Sequence, residues 1–589
     1  MPTLMFTTRK RVALGVVVPV ACALVLARCD GLLDTQPFGS LNTGTFYKTA
    51  GDFEAATIGA YSTLQNLTYS GRDQSIFEQM LLPDDDTRAP GSDEDSDFSW
   101  TPTNNSIGYI WDVSYRGILR ANLILQQLEL TDQLTPEEIA RFSGEAKFVR
   151  AYFNFILARM FGTPPVVTQV ASSIEETRLA NSQPGEIWDL IEADLEDAIT
   201  GLAGLDLEDG RASEWAARAL LGKVELYRAQ WFNQPEKYAE AEQHLQEVVN
   251  SGQFSLVPYK DNFDYRTENN AESLFELQAS FGTDINGWAA TDENGGGASA
   301  GTGRPLATGA GGFNGVNAPG GFDWGDGGII MTRTFVDFFE RYDSATVTVP
   351  GTGQQVKVVV RDPRAYWTFY STGEQYGRAC DGQQPVPYNF VWGCQGANVN
   401  ATEAASWSVT GHTPAKYIRP YENYAGGQML NQSVSQNNER LIRYADVLLL
   451  LAEAKILGSG DLAGAAALIN QVRARARDAW DSAYGAASAD ADLYASFTKP
   501  ANLLPDVVPV SQEQMFEALM YERRAELSLE FSRFADLVRW LRAGLIDRSD
   551  IDFGDDTANS RFNPEVHLLR PIPLGEMDLN PNLQQNPGY

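Results

Sequence analysis

Four cysteines, three histidines and a large surplus of carboxylates bound the chemistry open to this 589-residue chain. His244, His412 and His567 are scattered without Cys/His partners at ligand spacing, so neither a zinc site nor a catalytic triad is signalled. Cys380 and Cys394 stand alone in a Gly/Pro/aromatic stretch, and in an exported chain that placement reads as a loop-closing disulfide ahead of a metal site. Asp93, Asp95 and Asp97 form the D-x-D-x-D opening of a calcium loop. Phe98 and Asn104 then occupy the positions that need Gly and Glu, so a solvated acidic loop is the preferred reading. No phosphate loop or nucleophile elbow occurs, and neither a cofactor nor a metal is expected.

Aromatic and amide side chains on loops are the remaining source of binding chemistry, because exposed aromatic patches mark interaction surfaces. Two segments carry them. Residues 82–115 hold Trp100, Asn104 and Tyr109, and a glycine-rich segment holds Trp288 and Trp324 together with Phe313 and Phe322. Local packing competes with binding for each of these tryptophans. Trp111, Tyr115, Trp188, Trp215 and Trp540 lie on helical patterns and read as core.

A formal charge of −32 excludes a nucleic-acid binder, which needs a Lys/Arg surplus on some face. With 43 % hydrophobic residues the chain is neither disordered nor a disulfide-stapled miniature. Arg9, Lys10 and Arg11 precede the uncharged run Val12–Ala27, which reads as an export signal covering residues 1–28 and is too short for a spanning helix of about 20 residues. Cys29 follows Leu26-Ala27-Arg28, and Cys22 follows Pro19-Val20-Ala21. Either is a small apolar residue of the leader or a lipid attachment point. Cys29, where the polar chain begins, is favoured for acylation, although Arg28 stands where a small residue is usual.

These side chains need a frame. From Asp52 to about Gly252 the apolar spacing predicts amphipathic helices, one of them capped by Thr135-Pro136 and ended by Gly162. Others are predicted over Glu186–Leu202, Ser213–Ala229 and Pro235–Ser251, with short connections suited to antiparallel pairs. Periodicity fades over residues 261–437, where 291–330 contains 14 glycines and Val347–Val360 reads as a hairpin. Helix is expected again over Leu441–Ile456, Asp461–Ala476 and Gln512–Leu541, and an extended closure from Pro564. The fold class expected is mainly α, a tetratricopeptide-like scaffold of helix pairs (residues 40–260 and 438–545). It would form one domain, 29–589, with a loop-rich insertion at 261–437 containing short β-hairpins and a C-terminal closure at 546–589.

Several segments in order resemble the SusD/RagB family. They are Cys29-Asp-Gly-Leu-Leu-Asp-Thr-Gln-Pro37, Gly144–Tyr152 running on to Phe161-Gly-Thr-Pro-Pro165, Gly210–Ala217 and Asn270–Phe275. Leu441–Ala445 with Ala452–Ala454, Glu522–Leu527, Arg533–Trp540 and the tail Pro571-Ile-Pro573 to Asn580-Pro581 with Gln585-Asn-Pro-Gly-Tyr589 complete the set. The resemblance implies the SusD-like helical fold, an outward-facing location on the outer membrane through a lipid anchor, and a SusC-like TonB-dependent transporter as partner. It also implies a binding role without catalysis, the ligand being an oligosaccharide; on composition alone, the ring faces of Trp100, Tyr109, Trp288 and Trp324 are expected to stack on it and groups such as Asn104 to hydrogen-bond it. A peptide- or glycopeptide-capturing homologue and a two-carboxylate glycoside hydrolase are the competing readings.

Overall fold

The computed structural model describes residues 46–68, 76–89, 93–278, 330–348, 355–371, 438–488 and 491–589, with short pieces at 376–378, 385–387, 412–414 and 416. Helices dominate. The first block comprises α1 (Ala50–Thr68), α2 (Asn105–Leu130), α3 (Pro136–Phe161), α4 (Glu186–Leu202), α5 (Glu214–Phe232) and α6 (Glu236–Asn250), each packed on its neighbour in sequence.

Local chemistry explains their limits. Thr135 accepts from the Glu138 N–H while Glu138 accepts from the Thr135 N–H at 2.8 Å, a reciprocal cap with Pro136 in the first turn. Gly162, at φ +76°, ends α3 in a conformation that L side chains rarely adopt. Alternating large and absent side chains let α3 and α4 approach closely: a Cβ on Gly201 would lie 2.5 Å from the Ala140 carbonyl oxygen.

Beyond α6 the chain enters the strand β1 (Ser273–Leu277), then a hairpin of β2 (Arg341–Thr348) and β3 (Gln355–Arg361) in which Val347 faces Val356. That hairpin is the one its two β-branched runs predict. Where helix is expected from Leu441, the structure instead places strand β4 (Glu439–Arg443), antiparallel to β1, and helix α7 starts at Tyr444 (Tyr444–Ala454). The pairing partner lies more than 150 residues away, so local periodicity carries no trace of it.

Helices α8 (Leu462–Asp478), α9 (Gln512–Leu527) and α10 (Arg533–Arg542) follow. The single helix expected over Gln512–Leu541 is broken between α9 and α10, where Leu529 and Phe531 take φ of +63° and +60°. The closure is less extended than its proline content implies, with short helices at Pro564–His567 and Leu574–Leu579.

One apolar cluster joins both blocks: Phe148, Phe153 and Trp188 belong to it together with Leu448, Leu519 and Trp540. Among the described residues no helix is long and apolar enough to cross a membrane.

Candidate functional site

The loop preceding α2 carries the first group of predicted ligand contacts, and its surroundings are set by the chain's far end. Trp100 is 3 % exposed. Its indole N–H donates to the Tyr589 hydroxyl at 2.6 Å, the Arg570 guanidinium lies 4.0 Å over its ring, and Phe98 and His567 approach edge-on. Here the ring packs, and a sugar has no face to stack on.

Asn104 is the N-cap of α2. Its Oδ1 accepts from the Ile107 N–H at 3.0 Å and its amide donates to Glu94 at 3.1 Å, so both ends of the side chain serve the framework. Tyr109, in the second turn, is half-buried against the main core. Thus the exposure expected of Trp100 and the ligand-facing amide expected of Asn104 are replaced by packing and capping, because the closing segment folds back over the loop. Trp288, Trp324, Cys29, Cys380 and Cys394 lie outside the described residues, so the lipidation and disulfide assignments stand as expectations.

The acidic run is also built in. Asp93 accepts from the N–H groups of Asp95 and Ser96, Asp95 accepts from the Gln79 amide at 2.6 Å, and Asp95 and Asp97 are buried, which corrects the solvated-loop reading. Among the described residues no cluster of three or more His, Cys, Asp or Glu side chains is arranged to hold a metal ion.

A second acidic run, Asp84-Asp85-Asp86, was not singled out by spacing yet anchors the same loop. Arg533 grips Asp85 with two hydrogen bonds of 2.6 and 2.7 Å, and Arg524 donates to Asp86 at 2.6 Å. Burial alone would raise Asp85, but Arg524 and Arg533 outweigh it and hold the carboxyl down at about 2. Burial prevails at Asp86, lifted to about 6, and at Asp84, lifted well above the ordinary range by burial and the two adjacent aspartates.

The motif residues of α7–α10 form two buried ion-pair hubs. In one, the Glu526 carboxylate is shared by Arg443 at 2.8 Å, Arg364 at 3.3 Å and Arg475, and Arg443 and Arg475 also hold Glu272 at 2.8 and 3.1 Å. The Lys416 ammonium donates to the carbonyl oxygens of Glu526 and Ser528 at 3.0 and 2.8 Å. In the other, Arg539 bridges Glu453 and Asp536, Arg523 bridges Asp536 and Asp446, and the Trp540 N–H donates to Glu453 at 2.8 Å. A hydrolytic pair needs one carboxyl able to donate a proton. Glu526 and Asp536, burial notwithstanding, are held below the usual range by their guanidinium partners and serve as anchors.

A helical frame, a loop–tail junction and motif charges turned inward define a mainly helical scaffold. The chain belongs to the SusD family, whose description matches residues 272–589. A second family description, starch-binding and associating with the outer membrane, matches residues 57–226.

Along the chain it is 24 % identical to SusD-like protein P2 of Formosa agariphila over 97 % of its own length and 98 % of that protein's. It is 22 % identical to the starch-binding protein SusD of Bacteroides thetaiotaomicron, covering 83 % of this chain and 80 % of the relative. Among solved structures, a SusD superfamily protein from Bacteroides vulgatus superimposes with a TM-score of 0.67 at 25 % identity, over 92 % of this chain and all of that one. These likenesses establish the mainly helical SusD-like fold.

Proposed function

We propose that this protein is an outer-membrane surface lipoprotein that captures oligosaccharides and delivers them, chemically intact, to a SusC-like TonB-dependent transporter. The observation that carries this reading is the match of residues 57–226 to a starch-binding, outer-membrane-associated family, alongside the name of the Bacteroides thetaiotaomicron relative. A strongly acidic chain can hold neutral sugars, since ring stacking and hydroxyl hydrogen bonds need no charge attraction. With Trp100 packed and Asn104 capping, the ligand contacts pass to the half-buried Tyr109 and to Trp288 and Trp324 of the glycine-rich segment. Acylation at Cys29 supplies the membrane tether.

Affinity electrophoresis in gels containing soluble starch and other neutral glucans tests the proposal. At least one glucan should retard the wild-type chain, and Trp288→Ala or Trp324→Ala should weaken retention at least tenfold. No retardation by any glycan of a broad panel would overturn glycan capture, and release of reducing ends from the retained glucan would overturn delivery of an intact cargo.

A further inference from the structure

A cleft of about 780 Å³ lies between α9 and the turn after α10. Concave sites of roughly 300 to 1,000 Å³ are the size class in which small ligands and single anchoring side chains are held. Its accessible apolar surface comes chiefly from the half-buried Met520 and Leu545, backed by the buried Phe516, Leu537 and Trp540, and Phe338, tilted against Tyr521, also lines it. Leu457, also on the wall, belongs to a π-helical turn, Lys455–Ser459, a geometry often found at functional sites.

The charges around the cleft are unevenly used. Arg524 and Arg533 line it, but both are committed to Asp85 and Asp86. Among the described residues the Glu513 and Glu517 side chains have no ion-pair or hydrogen-bond partner, and the Asp550 carboxylate, on the opposite turn, accepts from the N–H of Asp547. Glu513 sits in the first turn of α9, where the helix dipole favours an acid; Glu517, one turn further on, gains nothing there and repels it. An apolar floor with unneutralised carboxylates on two sides complements an apolar side chain flanked by cations. It disfavours a second copy of a chain carrying −32 charges.

We propose that this cleft binds a short basic segment of a partner protein, with one aromatic or aliphatic side chain in the floor and Lys or Arg on either side facing Glu513, Glu517 and Asp550. The proposal goes beyond glycan capture and does not depend on it.

The test uses the full mature chain and a fluorescein-labelled peptide, Gly-Lys-Lys-Phe-Lys-Lys-amide, followed by fluorescence anisotropy. Controls replace the Phe by Ser or the four Lys by Glu. The Phe/Lys peptide should bind at least tenfold more tightly than either control. Glu513→Gln/Glu517→Gln/Asp550→Asn should weaken it at least tenfold, while Glu208→Gln/Asp209→Asn, a pair of exposed acids outside the cleft, should leave it unchanged. A benzophenone in place of the Phe should label Met520 or Leu545. Equal weakening by both variants would show bulk charge attraction and overturn the proposal, as would unchanged binding by the cleft variant or displacement of the peptide by soluble starch. Self-association abolished by the cleft variant would assign the cleft to a second copy and overturn it too. Met520→Arg, placed on the cleft wall, should block the peptide while thermal unfolding remains cooperative; undiminished binding by that variant would equally count against the site.

Discussion

Four buried carboxylates in each helical block are shifted in opposite directions. In α3–α5, Glu145, Glu192, Asp194 and Glu225 are all raised: burial comes first and their cationic neighbours only moderate it, with Glu225 reaching about 7 beside His244. In α7–α10, Asp446, Glu526, Glu530 and Asp536 are equally buried yet all lowered, because several cations converge on each. The difference teaches where each block gets its cohesion. The first relies on aromatic and alanine surfaces, such as Phe155 against Trp188 and Tyr227, with separate buried pairs such as Arg150–Asp194. The second uses Arg364, Arg443 and Lys416 to tie remote segments to α9 and the turn after it, with Glu272 held in turn by Arg443 and Arg475.

Removing a hub anion breaks the contrast most severely. Glu526→Ala removes the carboxylate at the centre of Arg364, Arg443 and Arg475; each keeps another anion (Asp362 and Glu522, Glu272 and Glu530, and Glu272), but three guanidinium groups are left crowded round a vacated, fully buried position, which costs about 3–5 kcal/mol. Glu145→Gln leaves Arg141 and Arg211 both still paired with Glu54, so its cost is about 1 kcal/mol. Urea unfolding of the two variants should differ by at least 2 kcal/mol; similar losses would erase the distinction between the blocks.

Trp100→Ala probes a third arrangement, a buried cation whose hydrogen bonds go to an amide and a carbonyl instead of a carboxylate. Arg570 donates to the Gln79 side chain and carbonyl and lies on the Trp100 ring, and burial lowers it to about 10. Loss of the ring should destabilise the fold by about 3 kcal/mol. Glycan retention by the folded fraction should persist, and a variant of wild-type stability that no longer binds glycan would restore Trp100 as a ligand contact.

Acid separates the blocks by sign. A carboxyl held low in the fold stabilises it above the unfolded value and loses that contribution as pH falls, so Asp446, Glu526 and Asp536 weaken the second block below about pH 4.5. A raised carboxyl works in reverse: the fold holds its proton more tightly, so the Glu225 contribution is present at low pH and is lost as pH rises from about 4.5 through about 7. His244, also raised in the fold, has the same sign, its contribution fading as pH climbs through its folded value. Hydrogen-exchange protection factors, corrected for intrinsic rates, should therefore fall in α9 and α10 between pH 5 and pH 3 while α5 and α6 hold theirs. Parallel losses would mean the blocks share one acid response.

The same contrast explains what could be read in advance. Glu186–Leu202 was fully visible as a helix because its apolar spacing is local, and the Val347–Val360 hairpin because its turn and its β-branched runs adjoin. The Asp85–Arg533 grip spans 448 residues and the Trp100–Tyr589 bond 489, so no window of sequence contains either. That distance is why the Asp85 anchor was not legible and Trp100 read as available; the Asp93–Asp97 run read as solvated although Gln79, which holds Asp95, stands only 16 residues upstream. The order of motifs revealed the family, but the charges inside those motifs gave no sign of which residues they would meet: Glu145 stands near Arg150 in sequence, whereas Arg150 pairs with Asp194 and Glu145 with Arg141 and Arg211.

The smallest test concerns a feature that is wholly local. Thr135 closes the N-terminus of α3 through the Glu138 N–H, and Pro136 fixes the first helical φ, so the cap owes nothing to the hubs. Thr135→Ala orphans that N–H at an exposed helix end, where water replaces part of the bond, for a loss of about 1 kcal/mol. Thr135→Asp keeps an acceptor and adds a charge favoured by the helix dipole, and should recover most of the loss. If the first block is built from independent local pieces, Thr135→Ala and Glu526→Ala should add within about 0.5 kcal/mol in the double variant. A larger coupling would mean that strain at one end of α3 reaches α9 through the shared apolar core, and the two blocks would then be one cooperative body despite their different chemistry.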